Sequence, residues 1–244
     1  MNNSSFDFRN RKILITGAAS GIGLATAKLL SAGGAHIVVV DYNQEACAAV
    51  KSMLEKSTII LADLLSENEY SSIFDAAIQD GIKLDGLVHC AGMAQVLPLN
   101  MLTFEKLHRE MSLNYYAYIE LVRQYAKKKY SDGGSIVGIS SIAADSVEKC
   151  QTNYAASKAA MITASRALAI ELAPKGIRIN TVLPGATNTP MAENANGRDI
   201  EAIVASQLFG MIEPSDVANA CAFLLSDLSR MITGRSIYVD GGRY

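Results

Sequence analysis

Seven short apolar runs that alternate with helical stretches restrict the fold of this chain more than any other feature of its sequence. Runs rich in Val, Ile and Leu predict buried strands, and they lie at 12–15, 36–40, 58–61, 86–89, 135–139, 177–182 and 236–239. Helical patterns lie at 21–32, 43–55, 67–80, 103–129, 154–173, 199–207 and 214–226. Strands that are apolar on both faces and alternate with helices predict an α/β fold with one doubly wound, parallel, seven-stranded sheet flanked by helices.

Length and composition predict a single domain. The 244 residues are 50% hydrophobic and carry a net charge of −2, which is typical of one soluble α/β domain over 1–244. Within it we expect 1–10 to be a flexible N-terminal segment and 186–212 to be a substrate-loop region.

The polar start of the chain, and the lack of an apolar run of ~20 residues, predict a cytoplasmic protein without a signal peptide or membrane anchor. Without a basic stripe, nucleic acid is not expected as a partner.

The cysteines and histidines predict neither disulfide bonds nor a metal site. The cysteines lie far apart without metal-ligand spacing and are interpreted as reduced thiols, at Cys47, Cys90, Cys150 and Cys221. His36, His89 and His108 form no pair one helical turn apart that could hold a metal ion.

A glycine-rich turn follows the first apolar run and leads into the first helical pattern. Residues 16–23 read TGAASGIG, with Gly17, Gly21 and Gly23 in a G-x-x-x-G-x-G spacing. Glycines let the backbone approach a pyrophosphate, and the helix N-terminus offers unpaired N–H groups and the positive end of a dipole. The strand–turn–helix context predicts a dinucleotide site. The alternative is a tight strand-to-helix turn with no ligand.

Asp41 closes the second apolar run, where the ribose of a bound adenosine would lie. Its carboxylate can accept hydrogen bonds from the ribose hydroxyls and would repel a 2′-phosphate. Ser20 brings no cation to the glycine turn, and no Arg or Lys occurs between 37 and 50. These observations predict that NAD(H) is preferred over NADP(H). The alternatives are that Asp41 turns into solvent, or that backbone donors of Tyr42 and Asn43 bind the phosphate.

Tyr154 and Lys158 stand four residues apart in an alanine-rich helical run, so both side chains lie on one face. A phenol has an ordinary pKa near ~10. An ammonium group one turn away stabilises the phenolate, and the phenol can then act as a general acid–base near neutral pH. An alanine-rich helix can also carry such a pair by chance, but a serine pair, Ser140 and Ser141, ends the fifth apolar run shortly upstream.

Polar or glycine-rich residues follow six of the predicted strands. They are Gly17 to Gly23, Asp41, Asp63, His89 to Gly92, Ser140 with Ser141, and Pro184 with Gly185. In a parallel sheet of this type, ligands bind beyond the carboxyl ends of the strands. The sequence therefore predicts one ligand site built from separate parts of the chain.

With these pieces together, the chain resembles the short-chain dehydrogenase/reductase family in its short, single-domain, Rossmann-type form. The resemblance runs from Lys12 to Gly242. The matching residues are TGAASGIG at 16–23, Asp41, Asp63 with Leu64, CAG at 90–92, Asn114, ISS at 139–141, Tyr154 with Lys158, PGATNT at 184–189 and VDGG at 239–242. The resemblance implies an NAD(P)-dependent enzyme that interconverts a ketone and a secondary alcohol by hydride transfer.

The resemblance also implies roles for individual residues. Tyr154 would be the general acid–base, Ser141 would hydrogen-bond the substrate oxygen, and Lys158 would bind the nicotinamide ribose. Asn114 would anchor a water molecule that relays protons. The other cofactor-binding residues that it implies are Gly17, Ser20, Gly21, Ile22, Gly23, Asp41, Asp63, Leu64, Cys90, Ala91, Gly92, Pro184, Gly185, Thr187 and Thr189.

One position departs from the family pattern. The family commonly has NNAG after the fourth strand, whereas this chain reads HCAG over 89–92. Ala91 and Gly92, which let the backbone approach the cofactor, are kept. We interpret His89 as a packed, hydrogen-bonded substitute for the first Asn rather than as a catalytic base, and Cys90 as a small buried apolar residue.

The substrate is less constrained by the sequence than the reaction. We expect an apolar pocket formed by 93–102, Val147, Cys150 and 186–212, with the large side chains Met93, Val96, Leu97, Met191, Leu208, Phe209 and Met211. The chain is similar to 3-oxoacyl-acyl-carrier-protein reductases, and Lys127–Lys129 and Lys175 could meet an acidic carrier or a coenzyme A phosphate. The other interpretation of these lysines is that they complement the dipoles of two helix ends.

Two other functions stay open at this point. One is an NAD-linked dehydrogenase of a sugar, polyol, hydroxysteroid or hydroxyacyl compound. The other is a catalytically silent nucleotide-binding sensor or scaffold, which would typically lack the tyrosine or the lysine. Whether the enzyme is a 3-oxoacyl reductase or an NAD-linked dehydrogenase, we expect a small-molecule carbonyl or alcohol as its partner. We also expect a homotetramer. The tetramer is implied by the resemblance and by the apolar surface expected at Tyr118, Met161, Ile162 and Leu168.

Overall fold

All seven predicted runs form strands of one sheet in the computed structural model, which describes residues 6–193 and 200–243. The strands are β1 (Lys12–Thr16), β2 (His36–Asp41), β3 (Ser57–Leu61), β4 (Gly86–His89), β5 (Gly134–Ile139), β6 (Ile177–Pro184) and β7 (Ser236–Val239). Their order is β3-β2-β1-β4-β5-β6-β7, and every neighbouring pair is parallel. The predicted fold class is confirmed.

The direction of the chain through the sheet reverses between β1 and β4. The chain moves outward from β1 through β2 and β3, then returns to pair β4 with β1 and continues outward on the other side. At such a switch point, the loops after the two neighbouring strands diverge and leave a crevice at the carboxyl edge. The loops that flank this crevice are the glycine turn after β1 and the segment Cys90–Gly92 after β4.

The helices follow the predicted positions, and most of them are shorter than predicted, although α1 has the predicted bounds and α6 begins two residues earlier. They are α1 (Gly21–Ala32), α2 (Gln44–Lys51), α3 (Tyr70–Ala77), α4 (Phe104–Met111), α5 (Ala117–Tyr125), α6 (Thr152–Leu172), α7 (Pro190–Glu193), α8 (Ile200–Ala205) and α9 (Pro214–Leu225). α7 was not predicted, and α2 ends four residues before the predicted end at 55. No helix in the described part of the chain is long and apolar enough to cross a membrane.

The single helix predicted over 103–129 is divided. A π-helical turn over Ser112–Tyr116 separates α4 from α5, which ends at Tyr125. A π-turn inserts an extra residue into a helix and often marks a functional site. Asn114 lies inside this turn and is fully buried.

Strand side chains alternate between two apolar layers. Ile13 and Ile15 of β1 pack in a cluster that includes buried side chains of α1, α2 and α9, whereas Leu14 packs in a cluster with those of α3, α5 and α6. Because each face of the sheet is buried by helices, the strands are apolar throughout and do not alternate with polar residues. The sheet edge at the carboxyl ends is left as the place for a ligand.

Gly138 in β5 lets α6 lie close to the sheet. A Cβ atom at this position would be 2.9 Å from Met161 Sδ and 3.1 Å from the Tyr118 ring. Met161 and Tyr118 are fully buried, and Ile162 is 5% exposed. The expectation that these three residues form surplus apolar surface is therefore wrong, because they hold α5 and α6 against the sheet.

The start of the chain is attached to the domain by Phe8. Its side chain is 2% exposed in the core, and its N–H donates a hydrogen bond of 2.9 Å to the Gly33 carbonyl oxygen. Phe8 thus packs in the core although it belongs to the segment 1–10 that we expected to be flexible. Residues 1–5 of that prediction lie outside the described residues.

Candidate active site

Two adjacent cavities lie at the carboxyl edge of the sheet. The larger, of about 440 Å³, runs along the segments that follow β1, β2 and β3. The smaller, of about 120 Å³, lies beside the first turns of α6. Both are lined by Ile22, Cys90, Gly92, Met93, Thr189 and Met191. A ligand in the larger cavity can therefore reach the smaller one.

The glycine turn brings the backbone of three segments into contact. Gly17 has a φ of +63°, and a Cβ atom there would be 2.7 Å from the Ala91 backbone nitrogen. A Cβ atom at Gly23 would be 2.1 Å from the Gly17 carbonyl oxygen. At the start of α1, Ser20 is the N-cap residue and its side chain makes no capping hydrogen bond. The first N–H groups of α1 thus face the larger cavity as donors suited to a phosphate.

Asp41 lies at the far end of the larger cavity from α6. Its Oδ2 accepts a hydrogen bond of 3.1 Å from the Ala19 N–H, and its Oδ1 accepts one of 3.1 Å from the Asn43 N–H. The carboxylate is therefore fixed against the glycine turn and does not turn into solvent. Tyr42 next to it is 79% exposed. The Asn43 N–H is already engaged, so it is not a free donor for a phosphate.

The predicted cofactor-binding residues are distributed along one cleft. Those that follow β1 to β4 line the larger cavity, and they are Gly17, Ser20, Gly21, Ile22, Gly23, Asp41, Asp63, Leu64, Cys90, Ala91 and Gly92. Those that follow β6 line the smaller cavity, and they are Pro184, Gly185, Thr187 and Thr189, the last of which lines both. All the predicted cofactor-binding residues thus line one of two adjoining cavities.

Tyr154, Lys158 and Ser141 line the smaller cavity together. The Lys158 ammonium lies 5.9 Å from the centroid of the Tyr154 ring, as expected for residues one helical turn apart. Ser141 Oγ accepts a hydrogen bond of 3.1 Å from the Ala143 N–H, so its own hydrogen remains available to donate. Ser140 Oγ donates instead to the Lys158 carbonyl oxygen at 2.9 Å, which gives it a structural contact.

Lys158 is a buried cation. Its side chain donates a hydrogen bond of 2.8 Å to the Ile139 carbonyl oxygen at the end of β5, and the residue is 5% exposed. Burial lowers the pKa of its ammonium group from 10.5 to about 8, because the charged form loses hydration. One hydrogen bond leaves two further N–H donors for a ligand.

Asn114 lies behind the cavity wall and anchors the segment after β4. Its Nδ2 donates to the Met93 carbonyl oxygen and to Ser157 Oγ, both at 2.9 Å, and its Oδ1 accepts from the Met93 N–H at 2.9 Å. Both side-chain donors are thus used. A water molecule held by this residue, as the resemblance implies, would have to donate to its backbone carbonyl oxygen or to the second lone pair of Oδ1. A Cβ atom at Gly92 would be 3.1 Å from Asn114 Oδ1 and 3.4 Å from Lys158 Nζ, so only glycine fits between them comfortably.

His89 is fully buried at the end of β4, as its interpretation as a packed residue requires. Its Nδ1 lies 2.8 Å from Thr16 Oγ1 on β1, which ties the two strands that flank the switch point. Burial lowers the pKa of His89 to about 3, so the imidazole is neutral at physiological pH. Cys90 lines both cavities, and burial raises the pKa of its thiol. Neither residue has the ionisation expected of a catalytic base.

Only part of the predicted apolar pocket forms. Met93 and Met191 line the smaller cavity together with Ile200 and Ile203, which were predicted only as members of the substrate-loop region. Leu208, Phe209 and Val147 point outward, with exposed fractions of 68%, 88% and 68%. Val96, Leu97, Cys150 and Met211 are not among the lining residues. Residues 194–199 of the predicted loop region lie outside the described residues.

Two buried polar residues that the sequence analysis missed hold the loops of the site. Glu110 accepts hydrogen bonds from the Gln95 N–H at 2.9 Å and from Asn153 Nδ2 at 2.7 Å, next to Tyr154. Gln207 Oε1 accepts from the Ala186 N–H at 2.6 Å. Glu110 lies four positions before Asn114 and therefore on the same helix face, and this spacing could have indicated that it is buried near the site. No local pattern pointed to Gln207.

Two arginines in the cleft were also missed. Arg109 of α4 lines the larger cavity and is exposed. Arg243 lines the smaller cavity and forms an ion pair of 2.8 Å with Glu148. Neither belongs to a recognisable motif, and each reaches the site through the tertiary fold.

The buried ammonium group predicts an unusual pH dependence of stability. Because the pKa of Lys158 falls from 10.5 to about 8 on folding, the unfolded chain binds more protons between these pH values. We therefore expect the free energy of unfolding of the wild type to rise, relative to that of Lys158→Met, as the pH increases from about 8 to about 10. Urea unfolding of both cofactor-free proteins across this range measures the difference, and parallel pH profiles would contradict it.

Comparison with known proteins identifies the family of this site. The family model described as enoyl-(acyl carrier protein) reductase matches residues 17–243. A 3-oxoacyl-acyl-carrier-protein reductase FabG from Rickettsia felis is 36% identical over 97% of this chain and 98% of that protein. A cis-4-hydroxycyclohexanecarboxylate dehydrogenase from Sinomonas cyclohexanicum is 33% identical over 96% of this chain and 97% of that protein.

A solved structure matches equally well over the full length. The 3-ketoacyl-(acyl-carrier-protein) reductase from Brucella melitensis, complexed with NADH, superposes with a TM-score of 0.88 at 28% identity, and the match covers 97% of this chain and 99% of that one. Fold, cleft and sequence similarity agree. The chain belongs to the short-chain dehydrogenase/reductase family of oxidoreductases, which act on alcohol and carbonyl groups with NAD(P)(H).

Proposed function

We propose that this enzyme interconverts a ketone and a secondary alcohol with NAD(H) as the preferred cofactor, and that Tyr154 is its general acid–base. The observation that carries the proposal is that Tyr154, Ser141 and Lys158 line one cavity that adjoins the dinucleotide cleft. When bound, the nicotinamide ring supplies or accepts the hydride. The protein has to position the substrate oxygen and move one proton.

Ser141 and Tyr154 handle the substrate oxygen in this proposal. The Ser141 hydroxyl accepts from the Ala143 N–H, which directs its own hydrogen toward a further acceptor in the cavity. In the reducing direction, that acceptor is the ketone oxygen. The Tyr154 hydroxyl gives its proton to the same oxygen as negative charge develops there, and takes it back in the oxidising direction.

Lys158 stabilises the phenolate that this proton transfer leaves. Its ammonium is fixed by the Ile139 carbonyl oxygen, one helical turn from the Tyr154 ring. In a buried site, a charge at this distance acts more strongly than in water. Its remaining N–H donors would bind the ribose hydroxyls next to the nicotinamide, which places the reactive ring beside the substrate.

Asp41 supports the preference for NAD(H). The carboxylate lines the larger cavity and is held there by the Ala19 and Asn43 N–H groups. In this position it would accept from the 2′- and 3′-hydroxyls of the adenosine ribose. A 2′-phosphate would meet a fixed negative charge, and the backbone N–H of Asn43 is already bound to that carboxylate.

A 3-oxoacyl thioester is the first candidate for the substrate. It is supported by the names of the similar Rickettsia and Brucella proteins. The lysines that were expected to meet an acidic carrier do not support it. Lys127–Lys129 follow α5 and precede β5, and Lys175 precedes β6, so these cations lie at the amino edge of the sheet, opposite the cleft. Lys129 is paired with Asp75, and Lys175 donates to the Ala126 carbonyl oxygen, which agrees with a helix-end role.

An alcohol that is not carrier-linked is the second candidate. It is supported by the similar dehydrogenase from Sinomonas, which by its name acts on a hydroxycyclohexanecarboxylate. The proposed preference for NAD(H) does not decide between the two candidates, since the similar 3-ketoacyl reductase from Brucella is complexed with NADH. A panel of 3-oxoacyl thioesters and of uncharged and acidic cyclic and linear ketones, each assayed with NADH, separates the two candidates.

We also propose a homotetramer with two-fold axes, from the resemblance and from apolar side chains that remain exposed on one chain. Phe104, Ile170 and Leu99 have exposed fractions of 85%, 80% and 79%. Light scattering at micromolar concentration should give about four times the 26.1 kDa mass of one chain. A monomeric mass would refute this assembly.

Tyr154→Phe tests the catalytic proposal. The substitution removes one hydroxyl group and leaves the ring to pack, so we expect normal folding and cofactor binding. The turnover number should fall by about 10²- to 10⁴-fold, as for loss of a general acid–base. Tyr116→Phe, at an exposed position, is the matched control and should keep wild-type turnover. Near-normal turnover of Tyr154→Phe would rule out the proposed role.

The cofactor preference gives a separate prediction. Two like charges at ~4 Å repel by about 4 kcal/mol at an effective dielectric constant of 20, and half of that exceeds a factor of ten. We expect kcat/KM for NADH to exceed that for NADPH by more than ~10-fold. Asp41→Asn keeps an acceptor for the Ala19 N–H but removes the charge, so it should lower the ratio of kcat/KM for NADH to kcat/KM for NADPH. A ratio that favours NADPH in the wild type would show that Asp41 does not face the ribose.

Arg109→Gln is the control for that experiment, because Arg109 is a cation in the same cavity. If it assists either dinucleotide through the shared pyrophosphate, its loss should raise KM for NADH and NADPH alike. An increase in KM confined to NADPH would instead show that Arg109 contacts the 2′-phosphate.

A further inference from the structure

Arg243 reaches the substrate side of the cleft because the chain turns sharply after β7. Gly241 and Gly242 have φ values of +64° and +72°, and the Gly242 N–H donates to Asp240 Oδ1 at 3.0 Å. This turn carries Arg243 back toward the smaller cavity, which it lines together with Ser141 and Tyr154. The guanidinium therefore shares a cavity with the groups that are proposed to act on the substrate.

The guanidinium of Arg243 is partly exposed, and only one of its N–H groups makes a hydrogen bond within the chain. The Arg243 side chain is 15% exposed, and Nη2 donates to Glu148 Oε1 at 2.8 Å. Glu148 is held in turn by Gln151 Nε2, which donates to its Oε2 at 3.4 Å. A guanidinium has five N–H donors in a planar fork, and this single contact within residues 6–193 and 200–243 leaves its Nη1 and Nε edges for another acceptor.

Few charged side chains line the smaller cavity. Among its described lining residues, the charged ones are Glu148, Lys158 and Arg243, and most of the others are apolar or small. Lys158 is bound to the Ile139 carbonyl oxygen and lies beside Tyr154. Arg243 is thus the cation that a substrate could meet away from the reacting carbon.

We propose that Arg243 binds an anionic group of the substrate, and that the enzyme acts on oxo acids and their hydroxy acids, with the carboxylate at Arg243 and the ketone or alcohol at Ser141 and Tyr154. This inference rests on the proposed function, since it uses the same cavity and the same reaction. A planar guanidinium pairs with a carboxylate through two parallel N–H donors. Glu148 keeps the fork oriented from its other side.

This assignment separates the two candidate substrate classes. A 3-oxoacyl thioester offers Arg243 only neutral carbonyl oxygens near its ketone, and a guanidinium pairs less strongly with these than with a carboxylate. Charged donors that face the cavity therefore discriminate in favour of the ligand that carries the opposite charge. The inference therefore favours a small free acid over a carrier-linked acyl chain.

Pairs of compounds that differ only in charge test the inference. The probes are 4-oxocyclohexanecarboxylate with 4-oxocyclohexanecarboxamide, and 4-oxopentanoate with 4-oxopentanamide. Calorimetry measures their binding to the NAD⁺-loaded protein, which cannot reduce them, and NADH oxidation in a separate assay measures their turnover. In the wild type, we expect at least one acid to bind more tightly than its amide by about 10- to 100-fold, as for a charge-assisted pair. No such preference in either pair would overturn the inference.

Variants of Arg243 and of Glu148 distinguish anion binding from a purely structural role of their ion pair. Arg243→Gln should abolish the preference for the acid, whereas Glu148→Gln, which removes the competing carboxylate, should keep or increase it. If Arg243 and Glu148 only tie the chain together, both variants should change acid and amide binding equally, which would overturn the inference. Arg230→Gln, at an exposed position that does not line the cavity, should behave as the wild type.

The two readouts also separate this inference from the proposed function. Acids that bind in the Arg243-dependent way, with no turnover of any carbonyl compound in the panel, would support the anion site and contradict the proposed reaction. Turnover of uncharged ketones or thioesters, with no preference for the acids in binding, would support the reaction and contradict the anion site.

Discussion

Two reciprocal hydrogen bonds between the end of β5 and α6 determine the arrangement of the whole site. Lys158 Nζ donates to the Ile139 carbonyl oxygen, and Ser140 Oγ donates to the Lys158 carbonyl oxygen. They fix the position of α6 along the strand, and the absence of a side chain at Gly138 fixes its distance from the sheet. Tyr154, one turn before Lys158, is thereby held at the carboxyl edge, where the dinucleotide cleft ends. A shift of one turn would move the phenol by about 5.4 Å and separate it from Ser141.

The same contact shows how the protein retains a cation that is costly to bury. An ammonium group loses hydration when it is enclosed, and the lowered pKa of Lys158 reflects that cost. One carbonyl oxygen compensates part of it, and the ligand that binds the free donors would compensate more. A bound cofactor that accepts from these donors would therefore raise the free energy of unfolding, which couples stability to cofactor binding.

Several residues outside the matching motifs bear on what distinguishes this chain. His89 takes a position where an asparagine is common, and its imidazole stays neutral and joins β4 to β1 through Thr16. The lysines that suggested an acyl carrier lie at the wrong edge of the sheet, so charge attraction gives no support for a carrier-linked substrate. Arg243 and Glu148 instead place charge at the smaller cavity, where we propose that the substrate binds. The reaction class follows from the shared site, whereas the substrate depends on such individual residues.

The sequence by itself determined the features that depend on short-range geometry. Apolar runs and helical periodicity predicted the strands and their order of appearance, and the spacing of Tyr154 and Lys158 placed both on one face because a helix turns every ~3.6 residues. Contacts between distant segments could not be derived in this way. Only the tertiary structure buried Phe8, Met161 and Tyr118, turned Leu208 and Phe209 outward, and brought Arg243 to Glu148, 95 residues away. Local backbone geometry is a property of a few neighbouring residues, whereas burial and pairing depend on which other segments pack beside them.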